Sequence, residues 1–136
     1  MPTYHSSEMP LQGALVAALR ADVTLMALVT AVEDHVPAKR TYPYVVIADL
    51  TSLEFDTKTS TGEEVTVTLH AWSQHSGRKE ILQIHGELKR ILHDQLLAVT
   101  DHYTVLMRRE YFATFTEPDN VTRHGVSRFR ALVQAA

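Results

Sequence analysis

Eight histidines are the one chemical excess in this sequence, and neutral imidazole is the commonest protein metal ligand. Their spacing does not build a site. No H-E-x-x-H occurs, and His85 and His93 stand two turns apart in a helical pattern with Lys89 between them. His85 falls on the apolar stripe of that pattern, where a hydrogen-bonded core histidine is the ordinary reading. His70 shares one side of a strand pattern with Thr68 and Trp72 and reads as surface or interface packing. Other catalytic arrangements fail on similar grounds. Gly125-Val126-Ser127 runs on into Arg128-Phe129 without the second glycine of a nucleophile elbow. There is no Gly-rich phosphate loop, and Asp119-Asn120 is only a fragment of a calcium loop. Glu33-Asp34 and Glu63-Glu64 are adjacent pairs, which on a strand face opposite sides and cannot converge as acid and base. The absence of cysteine removes disulfides, thiolate metal sites and cysteine nucleophiles. The residues therefore predict a binding or structural module with no catalytic residues, metal or cofactor; a small histidine-dependent metal hydrolase is the remote alternative.

The elements that carry these residues follow from periodicity. Leu11, Leu15, Ala18 and Leu19 recur at helical spacing over residues 8 to 31, with Ser7 or Glu8 able to cap the first turn. Asp22 reads as a second N-cap, so the segment predicts two short helices with a break. Residues 36 to 43 hold two prolines and the Lys39-Arg40 pair, and predict a loop. Tyr44 to Leu53 and Val65 to Ser73 have the β-branched content and alternation of strands and predict a hairpin. The clearest helix opens near Ser76-Gly77, with Ile81, Ile84, His85, Leu88, Ile91, Leu92, Gln95 and Leu96 on one stripe. Tyr103 to Thr116 and Val121 to Val133 predict a second hairpin around Glu117-Pro118-Asp119-Asn120. The expected fold is α+β: an antiparallel-rich sheet of about four strands in two hairpins, covered by the N-terminal helices and one central helix.

A length of 136 residues, 45% apolar and 21% charged, predicts one compact domain over residues 1 to 136. A net charge of -3 lacks the uniformly basic character of an autonomous nucleic-acid binder. The longest apolar stretch, Leu11 to Val32, carries Arg20 and Asp22 at its centre and predicts no membrane span. The N-terminus shows no basic region followed by an apolar one, so the chain is expected to stay in the cytosol unless a larger assembly carries it out.

Several segments together resemble one family. Leu11-Gln12-Gly13-Ala14-Leu15, Leu19-Arg20-Ala21-Asp22, Asp34-His35-Val36-Pro37 and Tyr42-Pro43-Tyr44-Val45-Val46-Ile47 make up the first half of the match. Thr66-Val67-Thr68-Leu69-His70-Ala71-Trp72-Ser73, Gly77-Arg78-Lys79-Glu80, Arg123-His124-Gly125-Val126 and Arg128-Phe129-Arg130 make up the second. Their order and spacing over residues 11 to 133 resemble the tail-completion proteins, or tail terminators, of long-tailed phages and gene transfer agents. Two positions depart from the pattern: Glu33 replaces an aromatic residue, and Asn120 replaces a glycine in the last turn. The resemblance implies a non-enzymatic virion part, assembled in the bacterial host cytoplasm and placed at the head-tail junction. Six copies would form a homo-oligomeric ring that caps the tail tube protein, ends polymerisation and meets the head's connector or stopper, with DNA crossing the lumen unread. A head-side connector or stopper of the same virion is the nearer alternative.

Charge asymmetry suits a ring. Residues 1 to 64 hold nine acids and four bases, and residues 65 to 136 hold seven acids and nine bases, as a head-to-tail contact would use. The polar segment Glu54 to Glu64, with Glu54, Asp56, Glu63 and Glu64 against Lys58, is expected to project from the first hairpin toward a neighbour or the lumen. A three-residue turn at Pro118-Asp119-Asn120 would make paired residue numbers in the second hairpin sum to 238. That register sets Val105, Met107 and Tyr111 opposite Val133, Ala131 and Ser127. Its other face holds Arg108 opposite Arg130 and Glu110 opposite Arg128. Such a stripe calls for an outside anion, which a neighbour's acidic segment would supply.

Overall fold

The computed structural model describes residues 6–36, 38, 39 and 41–136. Helix α1 spans Glu8–Ala21 and buries Leu11, Leu15 and Leu19, one residue per turn on a single face. Ser7 sits at its N-cap, but the hydroxyl does not cap the helix. It is buried and donates instead to Glu63, as does the Ser7 amide at 2.7 Å. The predicted break is present. Asp22 ends α1, and its carboxylate accepts from the Leu25 amide at 2.9 Å to start α2, Val23–Leu28. The Arg90 guanidinium of the central helix reaches the same carboxylate at 2.7 Å.

The central helix α3, Lys79–Leu92, buries Ile81, Ile84, His85, Leu88 and Leu92. It is shorter than its apolar pattern at both ends. Gly77 takes a left-handed φ of 78°, and after Leu92 the chain turns through Asp94 at φ 59° so that the Asp94 amide donates to the Met107 carbonyl at 2.7 Å. Gln95 and Leu96 therefore leave the stripe and are exposed.

Among the described residues the sheet has six strands rather than about four, in the order β1-β2-β3-β6-β5-β4. The four long ones are the expected hairpins: β2 Tyr44–Glu54 with β3 Gly62–Ser73, and β5 His102–Thr116 with β6 Arg123–Ala135. The extra pair are two-residue edges. β1, Val32–Glu33, runs parallel to β2, whereas β4, Ala98–Val99, is antiparallel to β5. All three helices pack on one side, against Val65, Val67, Leu69 and Ala71 of β3 and Phe129, Ala131 and Val133 of β6. Alternation puts Thr66, Thr68, His70 and Trp72 on the opposite side, which no helix covers among the described residues.

The second hairpin corrects the expected register. Met107 faces Ala131 and Arg108 faces Arg130 as predicted, but Val133 faces Thr104, Arg128 faces Tyr111, and Ser127 faces Phe112. Bulges between Thr104 and Leu106 and between Arg109 and Tyr111 shift the pairing by one residue each. The turn is also longer. The Glu117 amide donates to the Thr122 carbonyl at 2.9 Å, leaving four residues, 118–121, in the loop instead of three. Asn120 does take the left-handed conformation, at φ 60°, so it serves where a glycine was expected.

Candidate interaction face on the open side of the sheet

Cross-strand pairing arranges the open face in rows across β2, β3, β6 and β5. At the end bearing the first hairpin's loop, Leu53, Glu64, Leu132 and Leu106 lie side by side. The next rows are Thr51, Thr66, Arg130 and Arg108, then Asp49, Thr68, Arg128 and Tyr111. The far end carries Val46, His70, Val126 and Ala113, then Tyr44, Trp72, His124 and Phe115. Leu53, Tyr103, Tyr111 and Phe115 on this face are 69%, 56%, 46% and 44% exposed. These exposed apolar side chains lie on the side of the sheet away from the helices, which makes this face the candidate interaction surface.

The arginine stripe is real but is eased from within the subunit. Arg130 Nη1 lies 3.5 Å from Glu64, Arg108 Nε lies 3.8 Å from Asp94, and the Arg128 guanidinium sits 5.0 Å above the Tyr111 ring. The facing pair Arg108 and Arg130 thus has local anions within the subunit, so the fold of the single chain does not depend on an outside one. Glu110 does not oppose Arg128, because the bulge displaces it.

The expected acidic loop is not one. Strands absorb Glu54, Glu63 and Glu64, so the loop proper, residues 55–61, contains one acid, Asp56, and one base, Lys58. Asp56 turns inward to accept from the Gly62 amide at 3.3 Å. Glu54 and Lys58 are exposed at this tip. Glu63 is only 6% exposed and holds Ser7, so it is withdrawn from the expected interface set. Its pairing with a serine 56 residues earlier carried no local signal.

The histidines divide by burial. His85 is buried, its Nδ1 is 2.6 Å from Ser127 Oγ, and burial, aided by the charge of Arg109, pushes its pKa down to about 3. This is the core histidine that the sequence predicted. His70 Nδ1 lies 2.6 Å from His124 Nε2, and His124 Nδ1 lies 2.8 Å from Glu117. Burial holds both rings below the ordinary imidazole pKa. With neutral rings, His124 donates from Nδ1 to the Glu117 carboxylate and His70 donates from Nδ1 to His124. Among the described residues, one set of possible metal ligands converges: Glu33, Asp34 and His35, within 4.8 Å of one another. They are already engaged: Glu33 pairs with Arg20 at 2.9 Å, and Asp34 with His35 at 2.9 Å. No helix among the described residues is long and apolar enough to cross a membrane.

A family model, Tail completion protein gp17, matches residues 13–134. The chain belongs to the tail completion protein gp17 family. It is 31% identical over 128 residues to tail completion protein gp17 of Bacillus phage SPP1, covering 94% of this chain and 95% of that one. The solved structure of bacteriophage SPP1 gp17 superposes with a TM-score of 0.67 at 32% identity, over 90% of this chain and 88% of that one. A chain in the virion of a native gene transfer agent particle shares the fold, with a TM-score of 0.88 at 23% identity over 97% of this chain and all of that one. The family match begins within α1 and ends within β6, so it takes in most of the helical pair, the central helix and both hairpins, and the relatives carry a structural rather than a catalytic description.

Proposed function

We propose that this protein is a virion component that completes the tail at the head-tail junction: a ring, built from six copies, caps the tail tube, ends its growth and meets the head's connector or stopper. DNA crosses the lumen without sequence-specific contacts. The protein works by binding, and it is assembled into the particle in the bacterial host cytoplasm. The observation that carries this reading, beside family membership, is the helix-free sheet face with its exposed Leu53, Tyr103, Tyr111 and Phe115. Within the ring, Arg108, Arg128 and Arg130 meet the tip of the neighbour's first hairpin, where Glu54, Asp56 and Lys58 are exposed, with Glu64 in the strand at its base. Their opposite charge fixes orientation and register more than affinity. Electron microscopy of the protein, alone and on purified tail tubes, tests the proposal. A sixfold ring at one end of the tube is expected. Tails of normal length that still join heads after deletion of this protein would refute it.

A further inference from the structure

The far end of the open face, beyond the arginine rows, carries a second feature. Tyr44, Trp72 and His124 stack across three strands, with ring centroids 5.2 and 4.7 Å apart, and Phe115 meets His124 edge-on at 4.9 Å. Tyr42 extends the row beyond Tyr44 at 5.4 Å. Beside this row lies a cavity of about 280 Å³, lined by Tyr42, Tyr44 and Trp72 together with Glu117, Asp119 and Thr122 of the last turn.

Asp119 is held in the charged form by the last turn itself. Asp119 accepts from the Val121 and Thr122 amides at 2.9 and 2.8 Å and from Thr122 Oγ1 at 2.7 Å. These bonds pull its pKa below the usual carboxylate range. Glu117 lies 2.8 Å from His124 Nδ1, and burial holds that ring below the ordinary imidazole pKa. No Lys or Arg is among the described lining residues; Arg123 acts on Asp119 through its field, as the weakest of the influences there. Two anionic groups against an aromatic wall make a site whose natural complement is a planar, weakly hydrated cation. Guanidinium fits better than ammonium, because it tolerates apolar surroundings and can donate to both carboxylates at once.

We propose that this cavity is a receptor for an arginine side chain of a partner polypeptide, with Glu117 and Asp119 as the charge partners and Tyr42, Tyr44 and Trp72 as the wall. The inference does not rest on the arginine contacts proposed for the ring, since the cavity lies at the other end of the face from them. Trp72 is the single tryptophan, so its fluorescence reports on the cavity directly. The full-length protein is titrated at constant ionic strength with acetyl-arginine-amide and, in parallel, with acetyl-citrulline-amide, its neutral analogue. A saturable change with the arginine probe alone is expected, weakened about tenfold or more in Glu117→Gln and Asp119→Asn variants that retain the parent's circular dichroism. The second variant keeps the proposal testable if the first disturbs His124. Equal responses to the two probes, no saturable response, or unchanged affinity in both variants would overturn it. A saturable response confined to an Arg40→Gln variant would assign the site to this chain's own arginine and overturn the partner.

Discussion

His85 fills the space that a side chain at position 125 would need: a Cβ on Gly125 would lie 2.3 Å from its Nε2 and 2.6 Å from its Cδ2. The same ring is fixed from its other nitrogen by Ser127, so it bridges two core-facing residues of β6. Replacing Gly125 with alanine must displace the imidazole and is expected to cost about 1–3 kcal/mol by overpacking. His85→Ala should recover part of that cost when the two are combined. Urea unfolding of both single variants and the double variant measures the coupling, and simple additivity would show that the two positions do not compete for space.

Acid should destabilise the protein through the same ring. Its folded pKa of about 3 lies below the unfolded imidazole value, so the unfolded chain binds the extra proton first. Stability contributed by neutral His85 is complete above about pH 6.5 and falls by ~1.4 kcal/mol per pH unit below it. Between pH 7 and 5 the loss is about 2 kcal/mol from His85 alone. His70 and His124, also held below the ordinary value, add to it in the same direction. A His85→Gln variant should be weaker at pH 7 yet lose less on acidification, as denaturant midpoints at the two pH values will show.

Glu63 anchors the start of α1, because its carboxylate accepts both the amide and the hydroxyl of buried Ser7. Glu63→Ala leaves those donors without partners and is expected to cost about 1–3 kcal/mol. Amide hydrogen exchange should show early opening of α1 ahead of the central strands; unchanged exchange there would remove Glu63 as the anchor.

Arg128→Glu combined with Arg130→Glu separates assembly from folding. Both side chains lie on the open face and make partly exposed contacts with Tyr111 and Glu64, so the thermal midpoint should change little. Ring formation on tail tubes should be lost, with partial return when Glu54 is changed to lysine. A variant that assembles like the parent would remove these arginines from the interface.

The sequence by itself determined what local interactions decide. Asp22 divides the helices because its carboxylate needs only the Leu25 amide three residues on. The stripe of α3 and the four long strands follow from periods of 3.6 and 2, which burial of a single face imposes. Asn120 occupies the left-handed position that its short polar side chain tolerates. The family, too, was legible, since its residues recur in order along the chain.

Only the tertiary structure decided what distant segments settle between them. The edge strands β1 and β4 are two residues long, too short for any period, and exist because β2 and β5 offer them a backbone to pair with. The bulges at Val105 and Glu110 leave no mark in an alternating pattern, yet they decide that Arg128 faces Tyr111 and not Glu110. Glu63 looked like one more solvated acid until Ser7 was brought to it, and Glu117 and Asp119 acquired their aromatic wall only when the last turn closed beside Tyr42 and Trp72. Propensity and periodicity act over a few residues, whereas the meaning of a charge depends on what the fold places within a few ångströms of it.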